Sequence, residues 1–195
     1  QAMEGSLTGL NARCYNTSMQ SNQELISIRD NEWLENQLAN IWYGYFKDIE
    51  QNNEVKITFG RHSKTRLGSI GMPGWKNKSS NRAYKAIASS KSHGITVITI
   101  TSYFKQVIVP DYVVATTIAH ELVHYAHGFH SPHPQLHTHP HLEGIVDKEL
   151  INRGLGDDLV KQRKWLKKHW LNTVQLINPK QRRRNYGRLS FLSNR

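Results

Sequence analysis

Two histidines and a glutamate stand at a spacing that suits metal-dependent hydrolysis, in the segment His120-Glu121-Leu122-Val123-His124. On a helix, residues four apart project from the same face, so His120 and His124 can reach one tetrahedral zinc ion. Glu121 then lies beside the metal, where its carboxylate can take a proton from water and pass it to a leaving amine. Because zinc lowers the pKa of a bound water to about 7, the segment predicts a catalytic site with one Zn²⁺ ion.

The spacing does not fix the third metal ligand, because histidine is abundant after the motif. His127 shares the helical face, but at 1.5 Å per residue it lies about 10 Å along the axis from His120. His130 has the offset of the third histidine in the pattern HExxHxxGxxH, although the glycine of that pattern falls one residue later, at Gly128. The remaining candidates are His133, His137, His139, His141, Glu143 and Asp147.

Helices and strands are predicted on both sides of the motif. An apolar face indicates a helix that carries it from Asp111, the expected N-cap, to Gly128. A β-branched run and an alternating run predict strands at 95–100 and 55–59, and turn residues dominate 61–93. The other predicted segments are helices from Asn31 (capped by Asp30 or Asn31), at 143–153 and at 158–175, and a loop rich in His and Pro at 129–141. This order predicts an α+β fold.

Length and composition favour one domain with tails. The chain has 195 residues and a single cysteine, which excludes an intramolecular disulfide and a multi-cysteine zinc ribbon. No apolar run reaches the length of a membrane span, and the first residues do not resemble a signal peptide. We therefore expect a cytoplasmic protein without a membrane partner, associated with the nucleoid or nucleus if it acts on DNA.

Positive charge is concentrated in two segments. Of the 26 Lys and Arg residues, eleven lie in 161–195 and ten in 56–110, and neither segment contains an acid. Such segments attract polyanions, above all nucleic acid. Trp165 and Trp170 could stack on unpaired bases, but the usual burial of tryptophan favours core packing. The predicted nucleic-acid contacts are Lys161, Lys164, Lys168, Arg182, Arg183 and Arg184.

Three further features occur in the order found in one known family. Thr65-Arg66-Leu67-Gly68-Ser69 is similar to that family's Arg-Trp-Gly-Ser segment, with leucine in place of tryptophan. The strand 95–100, Pro110 and the HExxH helix follow one another as they do in the family. His141 resembles its downstream histidine, which stands four residues before an aromatic or apolar residue. Over roughly 31–154 the chain therefore resembles the SprT-like metallopeptidases, a group related to the WLM-type zincins.

The resemblance implies a zincin-like domain of the gluzincin type, in which a small mixed β-sheet packs on the HExxH helix. The chain then divides into an N-terminal arm (1–30), the SprT-like domain (31–156), and a basic C-terminal helix with a flexible tail (157–195). His141 becomes the expected third zinc ligand, with His139 and His130 as alternatives. Two departures are the leucine that replaces the glycine after this histidine and the absence of the cysteine zinc ribbon that often follows such domains.

The resemblance also implies a function. Family members, including the eukaryotic Spartan proteins, are linked to proteolysis of proteins covalently trapped on DNA. We therefore expect a zinc endopeptidase that cleaves protein substrates bound or crosslinked to DNA, with single-stranded or damaged DNA as a partner. Arg66 is expected to face the cleft, where it could contact the substrate or stabilise the oxyanion formed during hydrolysis.

Two other classes of function are compatible with the same residues. One is a nucleic-acid-binding protein whose zinc site is structural or vestigial. Glu121 argues against it, because a structural site needs no base and closes with four protein ligands. The other is a different zinc hydrolase, such as a metzincin-like peptidase with His130 as third ligand and one specific protein target.

Overall fold

The computed structural model describes residues 28–72 and 94–178, which form the α+β fold that the sequence predicts. This part of the chain contains four α-helices and three strands, together with two short 3₁₀ helices. In chain order the main elements are α1 (Asn31–Tyr45), β1 (Val55–Phe59), β2 (Gly68–Gly71), β3 (Thr96–Ile100), α2 (Asp111–Ala126), α3 (Ile145–Asn152) and α4 (Gly156–Ile177).

The three strands form a mixed sheet in the order β1-β3-β2, with β1 parallel and β2 antiparallel to β3. β3 is central because its β-branched side chains are buried on both faces of the sheet. β1 and β3 confirm the strands predicted at 55–59 and 95–100. The prediction of turns was wrong at Gly68–Gly71, which forms strand β2 by pairing with β3. The two glycines disfavour a strand locally, and the pairing overrides this preference. Residues 73–93 of the segment in which turns were predicted lie outside the described residues.

Helix α1 begins as predicted, with Asp30 as its N-cap. The Asp30 carboxylate accepts a hydrogen bond from the backbone N–H of Trp33 at 2.8 Å, which satisfies one of the free donors at the helix start. Leu34, Leu38 and Ile41 are buried and pack the helix onto α2 and β1. This apolar face confirms the core-packing interpretation of the segment.

Helix α2, which carries the HExxH segment, runs through the middle of the core. It is buried along most of its length, on the apolar side and on the side of the motif alike. Its N-cap position is Pro110, so the prediction that Asp111 caps the helix was wrong. Asp111 lies in the first turn, where its charge favours the helix dipole and pairs with the guanidinium of Arg29.

The last residues of the predicted N-terminal arm contact the domain. Ile28 forms an isolated bridge with Gln106, and the buried guanidinium of Arg29 donates to the carbonyl oxygens of Phe104 (2.9 Å) and Val109 (2.7 Å). Arg29 thereby fixes the turn that leads into α2. Residues 1–27 of the arm lie outside the described part of the chain.

Helix α4 belongs to the same core as α2, although the sequence assigns it to a separate basic segment. Gln162, Thr173 and Val174 are among its buried residues, and Trp165 and Trp170 pack against the core, as predicted for the two tryptophans. Although α4 is 22 residues long, its lysines leave it too polar to cross a membrane, and no other helix within 28–72 or 94–178 is long and apolar enough to do so.

Candidate metal centre

Helix α2 brings two imidazoles to one point. The Nε2 atoms of His120 and His124 lie 3.2 Å apart, with the rings inclined at 77°. Two nitrogen ligands at the usual zinc distance of about 2.0–2.1 Å and a tetrahedral angle would be separated by about 3.3 Å. One turn of helix therefore sets the two side chains close to the spacing that a shared metal ion requires.

His141 completes the group, although it is 17 residues further along the chain than His124. Its ring stacks on that of His120 with centroids 5.4 Å apart, and meets that of His124 edge-on at 4.7 Å. One nitrogen from each of the three imidazoles lies within 4.8 Å of the others. Three histidines are therefore close enough to bind one metal ion.

The environment favours the form of histidine that binds metals. Desolvation by burial, and after it the neighbouring imidazoles, lowers the pKa of His120 to about 4 and that of His124 to about 3. Both rings are neutral at pH 7 and keep a lone pair for a cation. His124 Nδ1 is buried and finds no hydrogen-bond partner among the described residues. The His124 ring is held by packing against Phe129 instead, with centroids 5.8 Å apart.

The end of α2 turns the chain back toward the metal site. The N–H groups of Phe129 and Gly128 donate to the carbonyl oxygens of His124 (2.9 Å) and Tyr125 (3.1 Å), which is the Schellman pattern of helix ends. Gly128 has a φ of +79°, and a side chain there would lie 2.4 Å from the carbonyl oxygen of Pro134. The glycine is needed both for the turn and for the returning loop that carries His141.

The other predicted ligands lie outside the group. His130 lines the same cavity, and its carbonyl oxygen accepts a hydrogen bond from Thr96 Oγ1 at 2.7 Å. His139 is exposed, and Asp147 forms an ion pair with Arg163 at 2.5 Å. Of the histidines considered for the third position, the structure therefore groups His141 with the helix pair.

Glu121 lies at the base of the cavity, with only 5% of its surface exposed. Desolvation raises the pKa of its carboxyl group to about 8, and the positive charge of Arg66 opposes that rise. The side chain rests on the backbone of β2, where a Cβ added to Gly68 would lie 2.5 Å from Glu121 Oε1. The glycine therefore leaves the space that the carboxyl group occupies.

The cavity is an open cleft with a volume of about 510 Å³, lined by parts of the chain that are far apart in sequence. Arg66 lines it, as predicted, next to Leu67 and Gly68. Gln162 of α4, which the sequence analysis missed, lines it too and donates to Thr117 Oγ1 at 2.9 Å. The sequence signal that could have indicated Gln162 is its position, since it is a polar residue on the apolar face of an amphipathic helix.

The predicted nucleic-acid contacts on α4 lie on the outside of the molecule. Lys161, Lys164 and Lys168 are exposed, on the side of the helix turned away from Gln162 and the cavity. Lys161 pairs with Asp158 at 3.3 Å. The remaining predicted contacts lie outside the described residues, and these are Arg182, Arg183 and Arg184.

In comparisons with known proteins, no family model, no curated protein and no solved structure matches the chain.

Replacing His141 by Ala should weaken binding of a divalent metal ion, with Zn²⁺ as the ion tested, about 100-fold or more, because one of three candidate ligands is lost. Competition with a chromophoric chelator measures the affinity. His139→Ala, which removes an exposed imidazole outside the group, is the matched control and should leave it unchanged. Loss of zinc with His130→Ala but not with His141→Ala would contradict the assignment and favour the metzincin-like arrangement.

Proposed function

We propose that the chain is a zinc-dependent endopeptidase of the SprT-like type, with a zincin-like fold, that acts on proteins bound or crosslinked to DNA. One observation carries the proposal: three converging imidazoles and the buried carboxyl group of Glu121 line a single cavity. A metal, a base and room for a substrate are the requirements of metal-assisted hydrolysis.

The donor set supports zinc as the metal. Three neutral imidazoles suit zinc, and in catalytic zinc sites three protein ligands leave one position for water or substrate. Zinc bound there would supply a Lewis acid that acidifies water and polarises a peptide carbonyl. A structural site would need a fourth protein ligand, and the group formed by the described residues contains three.

Glu121 is the residue that would handle protons. It lies between the two helix histidines, and its burial against β2 limits where the carboxyl group can go. The positive charge of a bound metal ion would lower the raised pKa of Glu121 and favour its ionised form. In the proposed reaction this carboxylate accepts a proton from the attacking water and donates it to the leaving amine. The burial of Glu121 lowers the local dielectric and strengthens both interactions.

The position of β2 favours an extended peptide as substrate. β2 lies at one edge of the sheet formed by the described strands, and its residues Gly68, Ser69 and Ile70 line the cavity. An extended chain can pair with a strand edge through main-chain hydrogen bonds, whatever its sequence. A peptide bound in this way would pass beside Glu121 and continue beyond it, as endopeptidase cleavage requires.

Nucleic-acid binding is the second function that a specific observation favours. The exposed side of α4 carries Lys161, Lys164 and Lys168, which recur along one side of the helix. Such a row can follow a phosphate backbone without reading bases. Because this side is turned away from the cavity, DNA bound there would hold the protein near its substrates without blocking the metal site.

Glu121→Gln should abolish peptide hydrolysis, with turnover reduced at least 1,000-fold, because the amide cannot accept the proton. Hydrolysis of unfolded casein and of a protein crosslinked to single-stranded DNA measures the effect. Zinc content and DNA affinity serve as controls and should stay at wild-type values. Turnover equal to the wild type would refute the role of Glu121. Absence of hydrolysis by the zinc-loaded wild type would favour the alternative function, a nucleic-acid-binding protein with a structural or vestigial zinc site.

Gly68→Ala should reduce turnover about tenfold or more while zinc affinity is unchanged, because the new methyl group overlaps the Glu121 carboxyl group. The matched control is Gly44→Ala in α1, where a Cβ meets no atom within 4 Å. Steady-state kinetics and thermal unfolding of both variants separate catalysis from stability. Unchanged turnover in Gly68→Ala would show that the carboxyl group need not lie where β2 holds it.

Exchanging Lys161, Lys164 and Lys168 for Gln should weaken single-stranded DNA binding and lower the slope of log Kd against log salt by about two. Fluorescence anisotropy with an oligonucleotide at several salt concentrations measures both quantities. A control variant with the same change of charge exchanges Lys47, Lys56 and Lys148, which lie elsewhere on the molecule. Equal losses in the two variants would mean that net charge, rather than the α4 surface, attracts DNA.

A further inference from the structure

Arg66 carries a positive charge at the cavity that no described carboxylate pairs with. The described residues include five arginines, and three of them (Arg29, Arg153 and Arg163) form ion pairs. The other two, Arg61 and Arg66, lie on the segment between β1 and β2 and are exposed. Only Arg66 lines the cavity. Its guanidinium is therefore available to a ligand at the metal site.

The backbone around Arg66 is fixed from several sides. The indole N–H of Trp170, on α4, donates to the carbonyl oxygen of Lys64 at 2.8 Å, and Thr101 Oγ1 donates to the carbonyl oxygen of Ser63 at 2.9 Å. The N–H of Arg66 itself donates to Ser63 Oγ at 3.0 Å. These bonds tie the segment to α4 and to the end of β3, so the guanidinium extends from an anchored position.

The charges inside the cavity leave this arginine without an internal partner. Glu121 is the one acidic residue among the described residues that line it, and it is buried at the base against Gly68. The guanidinium is near enough to influence the Glu121 carboxyl group electrostatically, yet the two form no ion pair. A carboxylate supplied by a ligand would meet Arg66 close to the base and the metal ligands.

We propose that Arg66 selects peptides that carry a carboxylate next to the bond to be cleaved. A guanidinium presents two parallel N–H donors that match a carboxylate, which gives both strength and orientation. The carboxylate would come from an Asp or Glu side chain or from the C-terminus of the substrate. This inference rests on the proposed peptidase function and names the class of substrate for the same site.

The placement of Arg66 favours an acidic peptide over nucleic acid. The cavity of about 510 Å³ contains the metal ligands and the base, and it has room for a few amino-acid side chains. A nucleic-acid backbone needs a groove lined by several cations. The exposed lysines of α4 are such a row, and they lie on another side of the molecule.

The test is binding to the zinc-loaded Glu121→Gln protein, which cannot consume its ligand. Fluorescein-labelled peptides with blocked ends carry Glu, Gln or Lys at the central position, and a further pair ends in a free carboxylate or an amide. We expect Glu to bind about tenfold more tightly than Gln, and Lys more weakly still. Adding Arg66→Ala should remove the difference, Arg66→Lys should keep part of it, and Arg61→Ala, the matched control, should not affect it.

Several outcomes would overturn the inference. These are equal affinity within both peptide pairs (Glu against Gln, and free carboxylate against amide), no binding of any peptide, or an Arg66→Ala variant that loses affinity only for a single-stranded oligonucleotide. The free-carboxylate pair shows which source of carboxylate is preferred. A preference for the free carboxylate within that pair, with no preference between Glu and Gln, would assign Arg66 to the C-terminus of the substrate and would replace the proposed endopeptidase by a carboxypeptidase.

Kinetics separates this inference from the proposed function. In the protein with Glu121 intact, Arg66→Ala should raise KM for the Glu peptide about tenfold more than KM for the Gln peptide. A fall in kcat for every peptide would instead identify Arg66 as an oxyanion contact and overturn the selective role. Charge-selective binding without hydrolysis of any peptide would refute the proposed peptidase function and support the role of Arg66. Hydrolysis without a preference for charge would support the peptidase function and refute the role of Arg66.

Discussion

The burial of α2 is the constraint on which the rest of the structure depends. A helix that carries two histidines and a glutamate can lie inside a core only if those side chains give up most of their hydration. The loss of water keeps His120 and His124 neutral and holds the proton of Glu121 more tightly than in solution. The packing that stabilises the domain therefore also prepares the motif to bind a cation.

The third imidazole depends on how the chain leaves that helix. The Schellman end at Gly128 reverses the chain, and the contact of this glycine with the backbone of Pro134 leaves no space for a side chain. The hydrogen bond from Thr96 to the His130 carbonyl fastens the returning loop to the sheet. These backbone contacts hold the start of the loop that brings His141 to the pair on α2.

Helix α4 serves the site and the surface at once. Its inner side places Gln162 in the cavity wall and, through Trp170, anchors the segment that carries Arg66. Its outer side presents the exposed lysines to solvent. In the proposed function, this division lets a polyanion bind on one side of the helix and a peptide enter the cavity on the other, without competition between the two ligands.

The sequence alone determined the local features. The period of apolar residues predicted α1 and α2, the β-branched run predicted β3, and the spacing of His120 and His124 predicted a shared metal, since each depends on residues within a turn or two. The tertiary structure decided which histidine comes third, that β2 is a strand, and that Gly68 makes room for Glu121. These features join residues that are distant along the chain, and no local pattern records which distant residues will meet.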